Sequence, residues 1–291
     1  MKRKEKWNQE NIWTFSQLSD NEPIICGLST YKYTTTPSYD MHYGIEMGIV
    51  RSGKMRRYYE DSFDDLSTGD VWFCGMWEPH GYEIIEAPCQ VIVMIILPQI
   101  LADLYFTEAP KINWLTPFII PAVKRPKLGK RTQQNLLMVA NRIEKVVNEN
   151  DHQKKLWLRL LFIEALLEVQ KVFPFYSSLE SLENNDYNCI NYAITNLIKS
   201  HRNATTIEIS NDCGMSRNRF NSIFKKMMGI SFAKFSLRYR LSSAATELII
   251  STDPLKIIAD KWGFTDASHF IHSFVKHFNC TPTQYRKNNT R

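Results

Sequence analysis

The sequence predicts an α+β chain of several domains: an N-terminal β-barrel, a helical region, and an all-α C-terminal domain in which a long helix joins two helix-turn-helix units. Three observations predict this. Residues 1–129 are broken by Pro and Gly into short runs rich in Ile, Val, Tyr, Phe and Trp. Residues 130–173 change to an apolar spacing of three and four, and residues 187–291 carry one helix-turn-helix pattern twice. At 291 residues the chain also exceeds what a single core usually organises.

In the first region the breakers are Pro23, Pro37, Ser52-Gly53, Ser67-Thr68-Gly69-Asp70, Gly75, Pro79-His80-Gly81 and Pro88. Many short strands at such spacing predict a barrel or jelly roll, and a closed barrel interior is a natural small-molecule cavity. Tyr39, Trp72, Trp77, Tyr82 and Trp114 are candidate wall residues, together with His42, Glu46 and His80. Aromatic faces suit sugars or planar metabolites, and the same rings serve equally well as plain core.

Two helices follow. Leu136, Leu137, Val139, Ala140, Ile143, Val146 and Val147 form one apolar stripe, and Leu156, Leu160, Ile163 and Leu167 form a second after Asn148 to Asp151. Helices this apolar do not stand free. They cover the barrel or pair with a second copy of the chain, and pairing would link two binding modules into a homodimer of higher avidity. Residues 174–186, with Ser177-Ser178 and Asn184-Asn185, read as a linker to the C-terminal domain at 187–291.

The first unit (about 205–227) pairs Ile209, Gly214, Met215, Phe220, Phe224 and Lys226 with Ile258, Gly263, Phe264, Phe270, Phe274 and Lys276 of the second (about 254–277). The offset is 49 up to the turn and 50 beyond it, so one residue is inserted at the second turn. Each Gly supplies the positive φ of a sharp turn. Ser216 and Thr265 are the expected N-caps of the second helices, Thr205 and Glu208 form a capping box, and Asp253 caps with Pro254 at the first helical position. Each Phe pair, four residues apart, turns inward and leaves a polar face free. Ser231 to Ser251 reads as one helix, holding two readers that must stand about 34 Å apart to enter successive major grooves.

Charge agrees. Residues 187–291 hold 15 Lys plus Arg against 6 Asp plus Glu, and the remainder holds 21 against 24. The basic part is the part with the tandem motif, which is the footprint of a DNA-binding domain. The expected base contacts are Arg217, Asn218, Asn221 and Ser222 in the first unit and Ser268, His269 and His272 in the second. Lys225, Lys226 and Lys276 are the expected phosphate contacts. The six cysteines, Cys26, Cys74, Cys89, Cys189, Cys213 and Cys280, form no CxxC pair and read as reduced residues of a cytosolic protein. No signal sequence opens the chain, and the longest apolar run, Val91 to Leu97, falls short of the ~20 residues of a membrane span, so a cytoplasmic location is expected.

The stretch GMSRNRFNSIFKKMMGISF, with RLSSA and ISTDPLKIIADKWGFTDASHFIHSFVKHFNCTPTQYRK, resembles the DNA-binding domain of the AraC/XylS family of bacterial regulators. The likeness covers roughly residues 187–288. Val275 stands where that family usually has Lys, and Asn279 where it usually has Gly; Asn tolerates the left-handed conformation. YDMHYGIEMGIVRSGK, LSTGDVWFCGMWEPHGYEI and CQVIVMIILP look like the cupin-type sensor that precedes this domain in many such regulators. The resemblance implies a sequence-specific, effector-controlled transcription regulator, not an enzyme. Its partners would be double-stranded DNA, a small-molecule effector and a second copy, with RNA polymerase a further candidate. No cofactor is expected.

Metal-binding cupins suggest a sharper role for Asp40, His42, Glu46 and His80, whose carboxylates and imidazoles can hold a divalent first-row metal. The alternatives are therefore a metal-binding cupin enzyme with a helical passenger domain, or a DNA-architectural protein without sequence preference. The first needs a metal and leaves the basic domain unexplained; the second leaves the sensor without a task.

Overall fold

The computed structural model describes residues 12–13, 18, 22–60, 62–110, 112–149, 151–173, 175, 185–200, 204–228 and 230–289. The chain divides into two compact units, residues 1–176 and 177–291, the first mixed sheet and helix, the second all helix. Most of the expected linker, 174 and 176–184, lies outside the described residues.

The first unit is built on two long strands, β4 (Ile45–Tyr59) and β7 (His80–Ile96), paired antiparallel along their length. On the outer edge of β7 lie β2 (Ile24–Tyr31) and β3 (Ser38–His42); on the outer edge of β4 lie β5 (Phe63–Ser67) and β6 (Val71–Cys74). A two-residue strand, β1 (Ile12–Trp13), pairs parallel with β3 and completes a seven-stranded sheet. The expectation of uniformly short strands is thus corrected, for β4 has 15 residues and β7 has 17. Ser52-Gly53 and Pro88 do not end strands. They sit in an irregular stretch where the β4–β7 register shifts between Val50 and Met55, and a proline that cannot donate a ladder bond is accommodated at such a bulge.

The bulge has a consequence for the core. Below it every position from Ile45 to Val50 is buried, with Val50 packed in the same cluster as Met55 and Tyr59; above it burial alternates and falls on Met55, Arg57 and Tyr59. Val50, Met55, Tyr59, Leu66, Trp72, Cys74, Ile84, Cys89 and Val91 form one apolar cluster. Gly48 is required by close approach, since a Cβ there would lie 1.9 Å from the Trp72 ring.

Two short helices, α1 (Pro98–Ala102) and α2 (Thr116–Ile119), precede α3 (Lys130–Asn148) and α4 (Lys154–Gln170). Leu136, Val139, Ala140 and Ile143 of α3 are buried as expected. Arg51 of β4 makes a two-pronged contact with Glu144, both nitrogens at 2.6 Å, which ties α3 to the sheet. The second stripe is split: Ile163 is buried, whereas Leu156, Leu160 and Leu167 are 53, 46 and 41% exposed.

The second unit holds α5 (Asn185–Ser200), α6 (Thr206–Asp212), α7 (Arg217–Met228), α8 (Phe232–Ile250), α9 (Leu255–Lys261), α10 (Ala267–Phe278) and α11 (Pro282–Asn289). The repeat extends beyond the two motifs. Ser231 caps α8 by accepting from the Lys234 amide, and fifty residues on Thr281 accepts from the Gln284 amide. Phe232 and Phe235 of α8 pack on Phe220 and Phe224, while Tyr285 of α11 packs on Phe274. The start of α8 therefore closes the first unit as α11 closes the second. The rest of α8 opens the second unit, with Tyr239 against Trp262 and Arg240 against Gly263.

Gly214 (φ 63°) and Gly263 (φ 68°) take the left-handed turns, Asn279 (φ 56°) ends α10 in the same region, and Thr205 with Glu208 forms the capping box. Three expectations are corrected. The N-cap of α10 is Asp266, not Thr265: its carboxylate accepts from the His269 amide at 2.7 Å, because the inserted residue moves the helix start to offset 50, where Asp266 matches Ser216. Pro254 itself is the N-cap of α9, and Asp253 instead offers its carbonyl to Arg286. Cys189 and Cys213 are joined as a disulfide, their Cα atoms 5.5 Å apart, so not all six cysteines are reduced; a separation of 24 residues gave no sequence signal for the pair.

Candidate nucleic-acid interface and sensor cluster

The two candidate readers are α7 and α10, each launched from a glycine turn and pressed inward by its Phe pair. Arg217, Asn218, Ser222, Lys225 and Lys226 are all exposed on α7, and Ser268, His269, His272 and Lys276 are exposed on α10. Asn218, Ser222 and Lys226 fall fifty residues before Ser268, His272 and Lys276, so one face is repeated on both helices. Asn221 is only half-exposed, and its counterpart is the half-buried Ile271, which puts it on the flank of that face. His269 rests edge-on against Phe264, ring centres 5.6 Å apart, and its orientation is thereby restricted.

Arg219 was not among the expected contacts, although the fifty-residue offset aligns it with His269 and would have found it. It is exposed and pairs with Asp186 of α5 at 3.2 Å. Val275, the counterpart of Lys225, is an exposed apolar residue on α10.

In the first unit the sheet brings five of the expected residues, Asp40, His42, Glu46, Trp72 and His80, into contact. His42 Nε2 lies 3.2 Å from Glu46 Oε2, Trp72 Nε1 donates to Glu46 Oε1 at 2.6 Å, and His80 Nε2 lies 2.5 Å from Asp40 Oδ1 and 3.8 Å from Glu46 Oε2. The rings of His42 and His80 meet edge to face at 4.9 Å. Tyr39, Tyr82 and Trp77 pack on other rings, those of Tyr58, Tyr31 and Tyr43. A surface concavity lies beside β5, bordered by Asp65, Asp70, Arg125 and Lys127, and takes in Trp72 alone of the expected set.

Two members of this cluster were missed. Arg57 is buried and donates through Nη2 to Glu46 Oε1 and, at 3.2 Å, to Cys74 Sγ. Strict alternation along β4 would place Arg57 on the face opposite Glu46; the bulge reverses that, and nothing in the local sequence marks the reversal.

Burial alone would raise the Glu46 carboxyl, but the Arg57 guanidinium and the His42 contact hold it well below the usual range. Burial would lower His80, but the adjacent Cys74 sulfur and the contact with Asp40 keep it well above 6.5. Asp40, raised by burial, is lowered further by His80. The result is a buried network in which two carboxylates face a guanidinium and an imidazolium.

Asp40, His42 and His80, and also Glu46, Cys74 and His80, bring ligand-type atoms within 4.8 Å of one another. Arg57 occupies one Glu46 oxygen, and His80 Nε2 faces Asp40.

A helix-turn-helix domain family matches residues 209–288. The HTH-type transcriptional activator RhaR of Mannheimia succiniciproducens is 22% identical over 278 residues, 92% of this chain and 93% of that protein. Uncharacterized HTH-type transcriptional regulators of Staphylococcus aureus are 22% identical over 256 residues; the chain spans about a third of their length, 32%. Among solved structures, unsaturated fatty acid bound ToxT from Vibrio cholerae aligns over 91% of this chain and 95% of that one, at 14% identity and a TM-score of 0.44. Residues 209–288 thus carry a helix-turn-helix domain, and the chain is similar along nearly its whole length to an HTH-type transcriptional activator, as a DNA-binding regulator is.

Proposed function

We propose that the protein works in the cytoplasm as a homodimeric, sequence-specific regulator whose N-terminal unit, a cupin-like barrel, takes a small-molecule effector. The observation that carries the reading is the exposed polar face repeated at fifty residues on α7 and α10. Two such faces on one basic unit suit recognition of two adjacent major-groove segments. The Arg, Asn and Ser side chains of α7 and the Ser and His side chains of α10 address base edges, and the lysines hold phosphates.

The apolar residues left exposed on α4, Leu156, Leu160 and Leu167, support pairing of two copies, since they recur at spacings of four and seven with the buried Ile163 between them. The effector acts by binding one arrangement of the chain more tightly than another, which is the only way a ligand can shift such an equilibrium. The polar edge of its pocket is the Glu46 network.

The test is a sequenced pull-down of genomic DNA by the full-length protein against random competitor. A single enriched motif with two submotifs about one helical turn apart supports tandem reading. Uniform retention of all fragments supports the architectural alternative instead.

A further inference from the structure

The two halves of the helical unit are fastened by different chemistry at equivalent places. In the second half Tyr239 of α8 meets Trp262, the residue before the Gly263 turn, with ring centres 6.2 Å apart. In the first half the matching positions, fifty and forty-nine residues earlier, are Cys189 of α5 and Cys213, the residue before the Gly214 turn. The fold therefore needs a firm joint here but not a covalent one. Two cysteines fill far less of the joint than a Tyr–Trp pair, so the first half depends on the bond where the second depends on packing.

Two further side-chain ties between α5 and the first reader unit are exposed: Tyr192 to Asp212 at 2.9 Å and Arg219 to Asp186 at 3.2 Å. Contacts of that kind hold weakly. Among the described residues Cys189–Cys213 is the covalent link in the chain, and it is formed by two residues whose Cα separation lies within the usual disulfide range. Cys213 is 6% exposed and Cys189 is fully buried, so Cys213 is the sulfur a small oxidant reaches first.

We propose that Cys189 and Cys213 form a reversible redox clasp that sets how firmly the first reader helix, α7, is held. Hydrogen peroxide is the oxidant class. Its O–O bond breaks as the Cys213 sulfur becomes a sulfenic acid, releasing one water; the Cys189 thiol then displaces the sulfenic oxygen as a second water and the S–S bond forms. The two electrons lost by the sulfurs end on the peroxide oxygens. A small dithiol reverses the step by exchange, leaving as its own disulfide. Reduction loosens α6 and the turn that launches α7, and leaves the second unit, which has no cysteine in its joint, unchanged. The consequence for DNA rests on α7 being a reader, as proposed above; the clasp itself does not.

The experiment uses the unmodified full-length protein after treatment with hydrogen peroxide or with dithiothreitol. Alkylation followed by peptide mass spectrometry is expected to find Cys189 and Cys213 blocked only after peroxide. Amide exchange across residues 206–228 is expected to be about tenfold faster in the reduced protein, with residues 255–278 unaltered. Thiols that stay open to alkylation after peroxide, or equal exchange in the two states, would overturn the clasp. Affinity for the fragment enriched in the pull-down is expected to differ about fivefold between the two states, and Cys189→Ser/Cys213→Ser is expected to abolish that difference. A redox effect on exchange with no effect on affinity would overturn the regulatory role and leave the bond as a staple.

Discussion

Arg240 Nη1 donates to the carbonyl oxygen of Gly263 at 2.7 Å, and the same guanidinium lies over the Phe264 ring at 4.8 Å. It has no carboxylate partner in these contacts, and burial lowers it to about 10. A charge is thus kept in the interior to fix the connector helix to the turn before the second reader. Arg240→Ala is expected to cost about 1.5–3 kcal/mol, the range for a hydrogen bond to a charged group. Urea unfolding of the full chain measures the loss, and faster amide exchange confined to residues 255–278 would locate it.

Lys226→Ala is expected to weaken specific and random duplexes alike and to reduce the salt slope of binding by about one, as loss of a phosphate contact does. Asn218→Ala is expected to cost about 1–3 kcal/mol on the enriched site and little on random DNA. Titrations at three salt concentrations separate the two, and equal losses for Asn218→Ala on both duplexes would remove it from the base contacts.

Glu46→Gln leaves Arg57 buried beside a neutral amide. Stripping one partner from such a pair is expected to destabilise the first unit by about 3–5 kcal/mol. The buried Trp72, which donates to the same carboxylate, supplies the fluorescence signal for the measurement. Stability within 1 kcal/mol of the parent, on the order of ordinary surface substitutions, would show that the network contributes little.

The network also sets a pH window. His80 is raised above its ordinary 6.5, so its contribution is complete below that value and fades as pH rises through the higher folded one. Glu46 is lowered below 4.5, so its contribution is complete above that value and fades as pH falls through the lower folded one. The urea midpoint of the first unit is expected to plateau between about pH 4.5 and 6.5 from these groups. His80→Gln is expected to flatten the alkaline limb; an unaltered limb would assign it to other groups.

Leu160→Glu is expected to convert a dimer into monomers in sedimentation, with helix content unaltered, because the side chain already faces outward in one chain. A chain that is monomeric before the substitution would refute pairing through α4.

The helical unit was legible because its information is local. The Gly turns, the Thr205–Glu208 box and the Phe spacing each depend on neighbours three or four residues away, and all appear as written. The cap of α10 falls on Asp266 and not on Thr265 because the inserted residue lies before the helix start. The sheet was less legible. Its strands change face at a bulge set by the pairing of Ser52 to Gln90 and Lys54 to Glu86, partners more than thirty residues apart in sequence. Arg57 and Cys74 therefore join Glu46 by a long-range register that no alternation along β4 displays, and the Cys189–Cys213 link is hidden for the same reason.

The sharing of α8 between the two units gives chain length there a meaning it lacks elsewhere. One extra residue in the turn before α10 has altered only which side chain caps that helix. The same residue inside α8 would rotate everything beyond it by about 100° and advance it by about 1.5 Å. The second reader would then address a different side of the double helix from the first. With α7 and α10 as the proposed readers, the number of residues in α8 would be a phase setting, a gauge that matches the protein to one operator periodicity.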